Sequence, residues 1–184
     1  MKRGWLAAGL AALVLGTGLQ AGFQAAAQSM PMDTHEAMPT RPAVASTALT
    51  VTIDGKATTL TPADLQAMPQ TTLTAKNGHS GKQETYTGVA VGDLLAKLGF
   101  TFDNKTAKRT YHSFVKAEGT DGYWVLYSAS ELTPILRETG SIIALTLDGK
   151  PLGEEGAFKI VIAGEKRPAR WVRNLKSLTV VTVE

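Results

Sequence analysis

GAFKIVIAGEKRPARWVRNLKSLTV, Gly156 to Val180, is the stretch whose reading decides the fold. FKIVIA, Phe158 to Ala163, is an apolar run, short enough to be a buried strand rather than a helix. SLTVVTV, Ser177 to Val183, reads as another strand. Between them GEKRPARWVRN, Gly164 to Asn174, sets Lys166, Arg167, Arg170 and Arg173 around Trp171. Cations spaced so closely repel one another. A folded chain therefore solvates them, pairs them with acids, or turns their guanidinium forks toward an anion.

Moving outward toward the N-terminus, short strand patterns dominate. LTVTID alternates up to Asp54-Gly55, a hairpin turn signal, and KATTL returns. Thr61 has the character of an N-cap, with Pro62 at the first helical position and Asp64 in the first turn, which predicts a short helix to about Met68. Thr71 to Lys76 alternates, NGHSG turns, and Gln83 to Gly88 returns. Val91, Leu94, Leu95 and Leu98 fall at helical spacing, with Gly99 placed to end the helix. TYHSFVKA, Thr110 to Ala117, reads as a strand that pairs with Tyr123 to Ser128 across GTDG. Ser128 and Glu131 match a capping box, predicting a short helix over Leu132 to Arg137. Ser141 to Leu147 is a buried strand closed by Asp148-Gly149. Eight or nine short strands with two or three short helices, and no long crossover helices, predict an α+β fold of mixed, mostly antiparallel sheets.

Export is expected. Lys2 and Arg3 precede an uncharged apolar run from Trp5 to Leu19, and Ala25-Ala26-Ala27 supplies small residues for cleavage after Ala27. Residues 1–27 therefore read as a signal peptide, residues 28–47 as a flexible Pro-rich leader, and residues 48–184 as the folded domain, placing the protein in the periplasm or outside the cell with no membrane anchor after cleavage. The chain has 19 Lys and Arg against 16 Asp and Glu. Cleavage removes two cations and no acids, so 19 less 2 leaves 17 against 16. That near-balance gives no global field for nucleic acid or an anionic membrane, so any electrostatic function must be local. The absence of cysteine excludes disulfides, thiolate metal sites and iron–sulfur clusters.

Four motifs in order carry a resemblance. Tyr86 to Phe100 (YTGVAVGDLLAKLGF), Asp121 to Leu132 (DGYWVLYSASEL), Leu147 to Leu152 (LDGKPL) and the Gly156 to Val180 segment resemble the molybdopterin-binding domain of sulfite-oxidase-type oxidoreductases in a small exported form. The resemblance covers about residues 48–184 and implies molybdopterin as the cofactor. In catalytic members a cysteine thiolate holds molybdenum. Its place here falls around Ala75, Lys76 and Asn77, and neither an ammonium nor an amide supplies soft thiolate ligation. The family's Gly-Pro before the late strand is Gly156-Ala157 here, and its Pro-Gly turn is Ala163-Gly164.

The expected cofactor or ligand residues are Lys166, Arg167, Arg170, Trp171 and Arg173, joined by His79 on its turn and, through the resemblance alone, by Asp121 and Tyr123. The plainer reading pairs Arg170 and Arg173 with Glu154, Glu155 or Glu165 and buries Trp171 as a core aromatic. His112, expected mid-strand, reads as a sheet-face residue, and Glu131 as a cap. No catalytic residue and no metal ligand set is assigned. The leading expectation is a binding module that takes an anionic ligand or a periplasmic partner. The alternatives are a molybdopterin-dependent oxidoreductase whose metal is held by the pterin dithiolene alone, and a copper handler using Met30, Met32, His35 and Met38.

Overall fold

The structure, a computed structural model, describes residues 44–77, 81–102, 105, 107–133, 140–165 and 168–183. Its strands are β1 (Leu49–Ile53), β2 (Lys56–Leu60), β3 (Thr71–Lys76), β4 (Gln83–Ala90), β5 (Ser113–Gly119), β6 (Trp124–Ser128), β7 (Ser141–Leu147), β8 (Lys150–Pro151), β9 (Lys159–Ile162) and β10 (Leu175–Thr182). The helices are α1 (Pro62–Gln66), α2 (Val91–Lys97) and α3 (Ala107–Tyr111), with single 3-10 turns at Ala129–Leu132, Gly153–Glu155 and Pro168–Arg170. The fold is α+β, as the strand count led us to expect.

The first sheet runs β2-β1-β10-β5-β6 and the second runs β3-β4-β7, with β8 and β9 both on the far side of β7. Every pairing is antiparallel except β1 with β10, where Thr50 meets Ser177 and Ile53 meets Val180. Alternation decides the first sheet: Leu49, Val51 and Ile53 face inward while Thr50 and Thr52 face out. β9 is buried along its whole length, Lys159 included, as expected of a strand covered on both faces.

Two apolar clusters follow. The larger joins the inner face of the first sheet to Val89, Ile143, Ile160 and Ile162 of the second, with Leu65 of α1 and Leu94 and Leu95 of α2 packed in. Each such fully buried leucine contributes about 2 kcal/mol by area removed from water. The smaller cluster lies on the opposite side of the second sheet, where Leu73, Tyr86, Ala144, Val161 and Trp171 meet. Gly88 is required at the β4–β7 contact, since a Cβ there would sit 2.0 Å from the Ile143 carbonyl oxygen.

Two expected elements differ. Thr110 and Tyr111 belong to α3 and not to a strand, and His112 lies at the exposed helix–strand junction. Its backbone N–H donates to the Lys108 carbonyl, and the Ser113 hydroxyl donates to the Arg109 carbonyl. The strong helix formers Ala107, Lys108 and Arg109 outweigh the alternation that runs on from β5. After Ser128, the capping pair opens a 3-10 turn, Ala129–Leu132, and Thr133 follows in an extended conformation. Residues 134–139 of the expected helix lie outside the described residues.

The chain is tied in before Ala48. Ser46 is buried, its N–H donates to Asn174 Oδ1, and its carbonyl accepts from the Ala157 N–H. Asn174 holds φ 48, a left-handed conformation that asparagine tolerates better than most residues. Its backbone N–H and side-chain Nδ2 also donate to the Glu155 and Glu154 carbonyls. Gly156 faces it at φ 84, and a Cβ there would lie 2.3 Å from Asn174 Oδ1, so glycine is needed for both reasons.

Candidate functional site

The cationic segment straps the open edge of the first sheet. Among the described residues β6 pairs only with β5, so its far side presents backbone groups outside the ladder. The Pro168–Arg170 turn lies along it. The Tyr123 and Tyr127 hydroxyls donate to the Ala169 and Arg170 carbonyls, and Arg170 Nη2 approaches the Leu126 carbonyl at 3.5 Å. The Arg170 guanidinium stacks 4.8 Å from the Tyr127 ring centre and forms ion pairs with Glu131 at 2.6 Å and Glu165 at 2.8 Å. Partial burial works against its charge, but the Glu131 hydrogen bond and the two carboxylates outweigh that, holding the guanidinium more firmly protonated. Glu131 therefore does more than cap Ser128, whose N–H it accepts at 3.0 Å.

Trp171 turns inward. It is buried, donates Nε1–H to the Ile162 carbonyl at 3.1 Å, and meets Tyr86 edge to face at 5.7 Å. Arg173 is exposed and has no ion pair among the described residues. Asp121 accepts the Tyr123 N–H at 2.9 Å, the self-bonding turn common for aspartate, and Thr120 N–H donates to the Asn174 carbonyl. The DGY turn thus adjoins the cationic segment, bringing Asp121 and Tyr123 beside the 169–174 stretch. Lys166, Arg167 and His79 lie outside the described residues, as do Met30, Met32, His35 and Met38 and the expected signal peptide.

Where the resemblance puts the metal thiolate, Asn77 is already engaged by a carboxylate. Ala75 is buried, Lys76 is exposed, and the Asn77 amide donates to both Glu84 carboxylate oxygens at 2.8 and 3.0 Å. The Tyr86 hydroxyl donates to Glu84 at 2.6 Å and accepts from Lys159 Nζ at 3.2 Å, and Lys159 in turn grips both oxygens of Glu155 at 2.7 and 2.8 Å. Burial, then the neighbouring Glu84, pushes the Tyr86 phenol well above its ordinary range. Among the described residues no cluster of three or more His, Cys, Asp or Glu stands ready for a metal ion. With no cysteine in the chain, this donor set does not fit a thiolate-held molybdenum.

The Asn77–Glu84–Tyr86–Lys159–Glu155 relay is the feature that the sequence reading passed over. A lysine inside the apolar run FKIVIA was its signal, because a buried ammonium demands a carboxylate. A second candidate surface is a shallow groove of about 570 Å³ whose lining includes Tyr111, His112, Phe114, Leu126, Tyr127 and Val183. The described residues contain no helix long and apolar enough to cross a membrane.

A scan against protein-family models finds no match to this sequence, and a search of curated proteins finds none. Among solved structures the chain is similar to the sulfane dehydrogenase SoxCD from Paracoccus pantotrophus, at 20% identity over 72% of this chain, with a TM-score of 0.55. The match spans 37% of that longer chain. At this identity the likeness is one of fold.

Proposed function

We propose that the protein is an exported binding module on an oxidoreductase-like fold, taking a small oxyanion or phosphate ester at Lys166, Arg167 and Arg173. The observation that carries this reading is the division of roles within the cationic segment. Arg170 is held by Glu131 and Glu165 and serves as the brace, while Arg173, three residues along, is exposed and has no ion pair among the described residues. Trp171 and Asn174, both buried, anchor the backbone on either side of Arg173. A guanidinium presented from a fixed backbone loses less entropy on gripping an anion than one on a free loop.

The Asn77–Glu84 pairing speaks for binding over redox work, since the position that a thiolate would fill is an amide already engaged by a carboxylate. Calorimetric titration with sulfate and with pyrophosphate tests the reading. Saturable binding should weaken about tenfold or more in Arg173→Ala, the cost of one charge-assisted hydrogen bond, with the melting temperature unchanged. Absence of saturable heat with either anion removes the proposal. Molybdenum near one per chain in protein purified from its own host would replace it with redox chemistry.

A further inference from the structure

Three residues outside every strand and helix hold the end of the molecule where Arg173 lies. They are Val44, Ala45 and Ser46. The Thr120 hydroxyl donates to the Val44 carbonyl at 2.5 Å, and the Ser46 N–H donates to Asn174 Oδ1 at 3.3 Å. The Ser46 carbonyl accepts from the Ala157 N–H at 3.0 Å. Thr120 follows β5 of the first sheet and Ala157 leads into β9 of the second, so this short segment ties one sheet to the other.

What it grips is the pivot of the cationic segment. Asn174 follows Arg173 directly, and each of its polar groups is engaged. Its N–H donates to the Glu155 carbonyl at 2.6 Å, its Nδ2 to the Glu154 carbonyl at 3.1 Å, and its own carbonyl accepts the Thr120 N–H at 3.0 Å. Only Oδ1 is left for Ser46. The Arg173 carbonyl lies against Gly119, where a Cβ would sit 2.9 Å from it. At φ 48 the pivot occupies a sparsely populated region, and it stays there because the surrounding bonds over-determine it.

Two observations make this segment releasable. Ser46 is its one buried residue, Val44 being 71% exposed. Ser46 Oγ is buried with no hydrogen-bond partner among the described residues. Closing therefore satisfies Asn174 Oδ1 and the Ala157 N–H, while opening returns the serine hydroxyl to water. Segments with so few buried contacts open far more often than the globule unfolds.

We infer that Val44 to Ser46 form a releasable strap. Closed, it fixes the turn that follows Arg173. Open, it frees Asn174 and loosens that turn, so cleavage or capture of the chain before Val44 acts on the cationic segment. The strap stands on its own geometry, whereas its effect on anion affinity rests on the reading of Arg173 given above.

Amide hydrogen exchange followed by NMR on the purified protein tests both halves. Thr120→Val removes the donor to Val44 at nearly constant shape, and should speed exchange of the Ser46 and Ala157 amides about fivefold, as expected for one neutral hydrogen bond. Asn174→Gly keeps the left-handed turn but lacks Oδ1, and should speed the Ser46 amide likewise. Ser46→Ala removes the orphaned hydroxyl and should slow the Ala157 amide by a similar factor, the opposite sign. Amides of β4 and β7 should not respond in any variant. A Thr120→Val protein with unchanged Ser46 and Ala157 exchange overturns the strap, as does faster exchange in Ser46→Ala or a change shared equally by β4 and β7. Pyrophosphate at about a hundredfold over its Kd should slow Ser46 exchange in the wild type tenfold or more, since a ligand of the closed state suppresses opening. Binding that leaves Ser46 exchange unmoved overturns the coupling to the cationic segment. If neither sulfate nor pyrophosphate binds while the variants behave as expected, the strap is upheld and the anion reading of Arg173 falls.

Discussion

Two lysine–carboxylate clusters use the same chemistry on opposite terms. On the outer face of the first sheet, Lys116 and Lys176 share Glu118, with side chains 38% and 42% exposed against 24%. On the second sheet, Lys159 grips Glu155 with its own side chain only 6% exposed, 5.0 and 5.4 Å from the ring centres of Tyr86 and Trp171. Water can replace either partner of the first cluster at little cost. It hardly reaches the Lys159 ammonium, which among the described residues is met by the carboxylate, the phenol and two aromatic faces. The lesson is that an ion pair is judged by what its removal would strand, and that the second sheet, not the first, depends on one.

The largest expected effect follows from that difference. Lys159→Ala leaves the Glu155 carboxylate without its cation, removes one of the two hydrogen bonds of the Tyr86 hydroxyl and leaves a cavity against Trp171, so urea denaturation should show a loss of about 3 kcal/mol. Replacing both partners, Lys159→Met with Glu155→Leu, should recover much of it, because an apolar pair strands nothing. A single-variant loss below about 1 kcal/mol would erase the distinction between the two clusters.

Much of this architecture could be read along the chain because local signals agreed with tertiary need. The Thr61 cap, the Asp54-Gly55 turn and the α2 spacing all name their own structure, and the Thr61 hydroxyl does accept the Asp64 N–H while Asp64 answers the Thr61 N–H. Where two patterns overlapped, reading failed: β5 alternation ran back through Thr110 into residues that helix propensity claimed. The candidate site was harder. Arg170 announces a cation but not which acid it meets, and Glu131, thirty-nine residues away in sequence, looked complete as a cap. Lys159 was hidden inside an apolar run, and its partners arrive from β4 and the Gly153–Glu155 turn. The lysine signals that a carboxylate must meet it, but nothing local says which one.

A smaller effect sharpens the same contrast through pH. Burial raises the phenols of Tyr86 and Tyr127 above their ordinary value. Their contribution to stability is complete below the unfolded value of about 10 and is lost as pH rises beyond it, since only the unfolded chain then gives up the proton. Stability should therefore fall by up to about 1.4 kcal/mol per pH unit per tyrosine above pH 10. Thermal melts between pH 9 and about 11 on the wild type and Tyr127→Phe would show this, the variant having the shallower slope. Equal slopes would mean that Tyr127 ionises as readily folded as unfolded.

The smallest effect belongs to the exposed cluster. Hydrogen bonds from Lys116 and then Lys176 lower the Glu118 carboxyl below its ordinary value. The sign is opposite to that of the tyrosines: this contribution is present above the unfolded value of about 4.3 and is lost as pH falls through the lower folded value. Lys116→Ala removes one donor yet leaves Lys176 at 2.7 Å, and it frees Trp124 from an ammonium 5.4 Å above its ring. The cost should be at most about 0.5 kcal/mol, shrinking in about 1 M salt, where the screening length falls to about 3 Å. Under the same salt the Lys159→Ala loss should persist, because that cluster is closed to the ions that screen this one. If salt diminished both losses alike, Lys159 would be reached by solvent and the two clusters would be one kind of thing.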